Sequence, residues 1–401
     1  MGPSTGGRGG GTLSLLSDRN FAPYLVGNML STTGVWFQTL AQTILIYRLT
    51  GSIFLLGVIG FSQYAAVFLL ASVTGSVTDR YDRRLVLMTA QISACAITAL
   101  LTVLTALGRV TPAALIAFAF LLGVANAFTT PAMMAFVPSL VGRSHLSAAL
   151  ALNSVTFNIG RAVGPVLAAV VIDAAGPAWA FGINSLSYLA LVLALTIVRP
   201  LVPQARPATR PRLRESIALV ARDRRLAALL YTILAMNIAT DPPVTLGPPF
   251  MIELHQPDSL AGLLIGAFGA GAVVVAFTVA HSLQRTRKTI ATTLLVTAVG
   301  AAGFAVSPTL AVAMLFLFVM GLGYLATNTV ATSRLQLAVE DAQRGRIMTL
   351  WSIAFLGARP IGSLLDGAIA SVAGVRVASF LMALPALAGA AVFFFAGRRR
   401  G

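Results

Sequence analysis

Twelve runs of apolar residues, each long enough to cross a lipid bilayer, constrain this chain more than any other feature. They lie at roughly 21–47, 54–77, 85–107, 112–136, 148–173, 177–198, 226–251, 260–282, 289–306, 309–332, 347–371 and 374–396. A helix of about 20 apolar residues spans the hydrocarbon core. Lipid gives a bare backbone no hydrogen-bond partner, so the spanning segments must be helices or the strands of a closed barrel. Continuous runs of this length, with no alternation of period two, exclude the barrel. Only 10% of the 401 residues are charged and 57% are hydrophobic; a soluble domain carries about 25% charge. The expectation is an all-α polytopic membrane protein with twelve transmembrane helices.

The formal charge of +16 would suit a nucleic-acid binder if the basic residues gathered on one face with stacking aromatics. They are placed otherwise. Among 28 Lys and Arg, Arg48, Arg109 and Arg376 sit in the odd-to-even loops, and Arg161 and Arg359 sit within spans. All the others fall in the N-terminus, the even-to-odd loops and the C-terminus. This is the positive-inside pattern. It predicts a multi-pass protein of the inner (cytoplasmic) cell membrane, with both termini in the cytoplasm.

Several chemistries are excluded. Cys95 is the sole cysteine and His145, His255 and His281 are scattered, so no metal-ligand cluster is expected. There is no phosphate-binding Gly-x-x-x-x-Gly-Lys-Ser/Thr loop and no Ser/His/Asp set or catalytic carboxylate pair. The chain reads as a non-enzyme without a cofactor. Residues 1–17 are rich in Gly and Ser and read as a disordered lead-in, with no cleavable signal peptide.

The polar stretch Arg199–Arg225 holds eight Arg, four Pro and two acids. It reads as a cytoplasmic linker between six-helix bundles at 18–198 and 226–397, with a basic tail at 398–401. The halves resemble each other. Asp18-Arg19 opens the first and Asp223-Arg224 the second. Leu152–Gly176 aligns without gaps on Leu350–Gly374, with identities that include Arg161/Arg359, Gly164/Gly362 and Gly176/Gly374. An even number of spans per half makes the repeats parallel, related by an axis along the membrane normal.

In the loop after the second span, Gly75, Asp79, Arg80, Arg83 and Arg84 match the Gly-x-x-x-Asp-Arg-x-x-Arg-Arg signature of the major facilitator superfamily, with Asp82 where that family usually has Gly. The resemblance implies two pseudo-symmetric bundles and a cytoplasmic latch loop; a plain basic anchor would need neither the Gly nor the Asp. Gly160, Gly164 and Pro165 resemble the Gly-x-x-x-Gly-Pro motif of the superfamily's antiporters, although Ala168-Ala169 stand where that motif ends in Gly-Gly. Such glycines let helices approach closely. Gly34-Val-Trp36-Phe-Gln38 and Leu49-Thr-Gly-Ser52 resemble the branch of enterobactin and macrolide exporters. That resemblance covers the chain from about residue 18, and the family usually works as a monomer.

A charge in the bilayer interior costs at least about 2.5–3.5 kcal/mol, so each one calls for a partner or a task. Arg161 and Arg359 lie at similar depth. They can brace the helix interface, or contact substrate or a coupling acid. Asp241 lies at comparable depth in the broken-helix sequence Asn237-Ile-Ala-Thr-Asp241-Pro-Pro, and Asp366 follows Arg359 by seven residues. Burial favours a protonated carboxyl and a nearby Arg favours the ionised form. Asp241, with Asp366 second, is therefore a candidate for proton coupling; a permanent Asp–Arg pair is the other role open to it. Arg161 has no carboxylate in its own half at that depth. By family analogy spans 1, 4, 7 and 10 line the cavity. Asn28, Thr32 and Trp36, then Asn126 and Thr130, then Asn237 and Asp241, then Tyr324 and Asn328, recur every four residues, which places each set on one helix stripe.

These features predict a secondary active transporter that exports a small amphipathic organic compound, such as a drug or siderophore, by alternating access and proton antiport. Its partners are the small-molecule substrate, protons and the lipid bilayer. An uptake symporter or facilitator on the same fold, and a non-transporting sensor or lipid-handling protein, are the alternatives.

Overall fold

The computed structural model describes residues 14–141, 145–200, 213–278, 283 and 286–395. Among them there is no strand, and the helices run α1 (Phe21–Thr50), α2 (Ile53–Arg80), α3 (Arg83–Ala106), α4 (Pro112–Leu140), α5 (Leu146–Ala175), α6 (Pro177–Ile197), α7 (Leu213–Arg222), α8 (Arg224–Ala239), α9 (Pro242–Thr245), α10 (Gly247–Glu253), α11 (Ala261–Thr278), α12 (Arg287–Ala305), α13 (Leu310–Leu337), α14 (Asp341–Ala373) and α15 (Val375–Phe395). Ten of the helices are long and apolar enough to cross a membrane. Two of the twelve expected runs fall outside that set. In α1 the polar residues Asn28, Ser31, Thr32, Thr33, Gln38, Thr39, Gln42 and Thr43 lower the mean hydropathy. The run 226–251 is broken into α8, α9 and α10, because Pro242, Pro243, Pro248 and Pro249 lack the amide hydrogens a continuous helix needs.

Helix ends are set by local chemistry. The side chains of Ser52, Asp82, Thr111, Thr286 and Thr309 accept from the first free amides of α2, α3, α4, α12 and α13, which satisfies donors that have no partner in the helix. Matched repeat positions do the same work. Asp18 accepts from the amide of Phe21 at 2.7 Å and Asp223 from that of Arg225 at 2.7 Å. Gly176 and Gly374 close α5 and α14 at φ 86° and 89°, a region open to glycine at little cost. The segment expected as a lead-in is in part packed: Leu15 is 4% exposed and joins Phe21 and Tyr24 in an apolar cluster. The expected linker contains α7, whereas 201–212 and the tail at 398–401 lie outside the described residues.

Helices α1–α6 pack on one another, as do α8–α15, and the two groups meet along α2 against α14 and α5 against α11. Residues 81–82, 198–200, 223 and 338–340 lie at one end of the helices, the terminal face; the turns at 51, 107–111, 176, 254–260 and 374 lie at the other, the far face. The seams are tight toward the far face. A Cβ on Gly57 would run into the Ser363 carbonyl, one on Gly262 into the Pro165 carbonyl, and one on Gly269 into Ala162. Nearer the terminal face, Gly357 would be 3.7 Å from Phe68, and Gly75 has open space for 4 Å around.

This contrast sets an expectation. Gly262→Val should lower the midpoint of thermal unfolding of the detergent-purified protein, since overpacking costs about 1–3 kcal/mol. Gly75→Ala should leave it unchanged or raise it, because a helical glycine gains about 0.5–1 kcal/mol on becoming alanine. Equal effects would mean that the α5–α11 seam is not close-packed.

Candidate functional site

The interior polar groups gather where the two seams and the broken helix meet. Asp241 caps the start of α9, immediately after α8 ends, and is 7% exposed. Its Oδ2 accepts from Thr245 Oγ1 at 2.8 Å, one turn on, and from Ser363 Oγ at 2.9 Å on α14. A small cavity lies beside it, lined by Thr39, Gln42 and Thr43 of α1, Gln63 and Tyr64 of α2, and Asp241, Thr245 and Ser363. The Gln42 Nε2 is buried without a partner. Asp366, three residues and just under one turn beyond Ser363, is 0% exposed, and its carboxyl lies beside that of Asp241.

Arg359 sits on α14 and reaches α2: its Nη1 donates to Tyr64 Oη at 2.8 Å, and the guanidinium lies 5.2 Å from the Tyr64 ring centre. The expected ion pair between Arg359 and Asp241 or Asp366 is absent among the described residues. The hydroxyls of Thr245 and Ser363 hold Asp241 instead, and Tyr64 holds Arg359. Arg161 takes a solution not foreseen from sequence. It is 2% exposed, and its guanidinium is 4.1 Å from the ring centre of Phe268 on α11, 5.0 Å from Tyr324 on α13 and 5.5 Å from Trp36 on α1. Cation–π contact of this kind strengthens as water is removed. Thus Arg161, from the first group, is enclosed largely by rings of the second.

The predicted stripe residues divide. Trp36 and Tyr324 come together around Arg161. Asn28 Nδ2 donates to Asn153 Oδ1 at 2.9 Å, linking α1 to α5. The Thr32 methyl lies against Gly160, and Trp36 Cβ against Gly164, so the glycines of the α5 motif seat α5 on α1; Pro165 of that motif faces Gly262 across the seam. The Asn237 amide is turned back to the Ile233 carbonyl at 2.8 Å. Thr130 donates to Asn126 at 3.4 Å on the exposed side of α4, and Asn328 accepts from Thr332 at 3.3 Å. The signature expected as a loop is mostly helical: Gly75 and Asp79 lie within α2, which Arg80 ends as an exposed residue, and Arg83 and Arg84 open α3, leaving only Tyr81 and Asp82 between the helices. Arg83 donates to the Ala135 carbonyl at 3.1 Å, and Arg84 to those of Leu195 at 2.6 Å and Thr196 at 2.8 Å. The Asp79 side chain lies outside the described residues. Tyr64, Phe268, Thr245 and Ser363 went unpredicted, although Gly60/Tyr64 and Asp241/Thr245 repeat the same four-residue spacing. At the far face Arg48 of α1 grips Asp258 with two hydrogen bonds, at 2.6 and 2.7 Å, and Ser259 donates to Asp173 at 3.3 Å.

A family model described as transmembrane secretion effector, of the major facilitator superfamily, matches residues 10–399. The chain belongs to that family. It is 27% identical over 392 residues to the enterobactin exporter EntS of Citrobacter koseri, covering 92% of this chain and 90% of the relative. The match to EntS of Salmonella typhimurium is also 27%, over 394 residues, covering 92% and 91%. In fold it is similar to a bacterial homologue of the human lysosomal transporter Spinster (TM-score 0.73, 13% identity, 98% of each chain) and to the nucleoside transporter NupG (TM-score 0.74, 15% identity, 93% and 98%). The protein is therefore a multi-pass membrane transporter of small molecules, not an enzyme.

The Arg359–Tyr64 contact is open to a direct check. Tyr64→Phe keeps the ring and removes the oxygen that Nη1 donates to. A hydrogen bond to a charged group contributes about 1.5–3 kcal/mol, so the variant should unfold at a measurably lower temperature than wild type. An unchanged midpoint would mean that the ring face alone holds Arg359.

Proposed function

We propose that this chain exports a small amphipathic organic compound, a drug or siderophore-like metabolite, in exchange for protons that move inward. The observation that carries the coupling is Asp241: a carboxylate at a proline break, at mid-depth, beside a cavity that both helix groups line. Broken helices at such depth are tolerated where they line a cavity, and transporters place coupling-ion sites at them. The names of the EntS relatives support the direction of transport.

In this reading twelve spans form two six-helix bundles, 18–198 and 226–397, joined by the linker 199–225. The terminal face is cytoplasmic, by the positive-inside pattern. The far-face grip of Arg48 on Asp258 and the closed glycine seams then belong to an inward-facing state. Arg83 and Arg84 tie the latch loop to backbone carbonyls of its own bundle, which leaves the loop free to engage the second bundle when the cytoplasmic side closes. A proton on Asp241 weakens what Thr245 and Ser363 hold, since hydrogen bonds to an ionised acceptor are roughly twice as strong as neutral ones. Ser363 lies on α14, which packs against α2, so this loosening is felt at the seam that must rock. Asp366, on the same helix and beside the Asp241 carboxyl, is a second proton carrier.

The test is proton flux in proteoliposomes that enclose a pH-sensitive dye, challenged with macrolides, catecholate siderophores, lipophilic cations, sugars and amino acids. The expected result is a counterflow of protons when a drug or siderophore enters, lost in Asp241→Asn and reduced in Asp366→Asn. Full coupling in Asp241→Asn would overturn the role of that residue. A response to sugars or amino acids alone would replace export by uptake.

A further inference from the structure

The Arg161 guanidinium has two faces and five N–H donors along its edges. The rings of Phe268, Tyr324 and Trp36 meet the cation through π-electron density, and the Tyr324 hydroxyl is a hydrogen-bond partner for one part of its edge. The Nε and Nη1 are buried without a hydrogen-bond partner, at 2% exposure of the whole residue. Leaving a buried donor unsatisfied is unfavourable, and more so on a charged group. No carboxylate of the described residues pairs with Arg161: Asp241 is held by Thr245 and Ser363. Arg359 stands close enough to add like charge. Thr327, one turn on from Tyr324, also buries a hydroxyl with no partner. Two neighbouring cations, unfilled donors and aromatic walls suit an oxyanion attached to an apolar or aromatic body.

We infer that Arg161 is the anion-binding element of the substrate site, taking the carboxylate or equivalent oxyanion of an aromatic organic acid between Trp36, Phe268 and Tyr324. This rests on the transporter reading and narrows its cargo. The carboxylate meets the Nε and Nη1 edges, where charge-assisted bonds are short and strong, while the aromatic body packs on the rings that now cover the guanidinium. Because those rings come from both helix groups, the site is complete only where the groups meet. A bound acid also competes with the ring contacts that join the groups when the site is empty.

Three isosteric probes decide it: 2-naphthoate, 2-naphthamide and 2-naphthamidine, titrated calorimetrically into the full-length protein in lipid nanodiscs. The naphthoate should bind at least about tenfold more tightly than the neutral amide, and the amidine more weakly than either. Arg161→Gln should erase the preference for the anion and Arg161→Lys should retain part of it; Arg359→Gln should reduce it less than Arg161→Gln does. Equal or tighter binding of the amide or amidine, no binding by any of the three, or an unchanged preference in Arg161→Gln would overturn the inference. The wild-type series stands alone if Arg161→Gln fails to fold. Proton-coupled movement of a neutral or cationic compound, alongside no preference for the naphthoate, would remove the anion site and leave the exporter reading in place.

Discussion

Two guanidinium groups at mid-depth, in a medium that supplies no water, set the terms for the rest of this structure. An isolated charge in such surroundings is strongly disfavoured, so each arginine must find its partner in protein. Arg161 and Arg359 occupy matched positions of the internal repeat, and each finds its partner across the seam. Arg161 of α5 lies against Phe268 of α11 and Tyr324 of α13; Arg359 of α14 donates to Tyr64 of α2. The aromatic partners are suited to a moving interface. A ring face attracts a cation over a broad area and, unlike a carboxylate, leaves no second charge stranded when the pair separates.

Much of this was legible in the sequence, and its limits are physical. Ten of the twelve spans follow from length against bilayer thickness; the pairs Asp18/Asp223 and Gly176/Gly374, read from sequence only as repeat matches, supply side-chain oxygens at helix starts and positive φ at helix ends. The arginines announce themselves as charges among apolar residues. Their partners do not. Periodicity places Tyr64 and Phe268 on helix stripes, but which stripe of one group faces which stripe of the other depends on the rotation of helices remote in sequence. The expected Arg–Asp pair fails for a related reason. Pro242 and Pro243 redirect the chain after Asp241, so its carboxylate meets Thr245 and Ser363, and Arg359 points to α2.

The four-residue stripes met the same limit. Trp36 and Tyr324 converge on one guanidinium, yet Asn237, two residues nearer the start of α8 than Ala239, turns its amide to its own backbone at Ile233. Asparagine in a helix has that local alternative, and no spacing rule states which option it takes. Polar residues with a backbone acceptor one turn away are thus weak site markers. Arginine, whose five donors cannot be spent on one carbonyl, is a strong one.

The balance between seams and polar contacts bears on how such a transporter can move at all. Along α2–α14 and α5–α11 the close approaches are made by glycine against backbone, as at Gly57, Gly262 and Gly269. Lipid tails are as apolar as the side chains they would replace, so parting these surfaces meets little hydrophobic resistance. The polar contacts across the seams are few, and they differ in setting. Arg48–Asp258 sits at the far face with Arg48 well exposed, where exposed ion pairs contribute about 0–1 kcal/mol. Arg359–Tyr64 and the Arg161 rings sit in the interior, where low dielectric strengthens every such contact. In the proposed alternating-access reading, a change of state turns on the interior contacts, and a ligand or proton that acts there has leverage that one acting at the rim lacks.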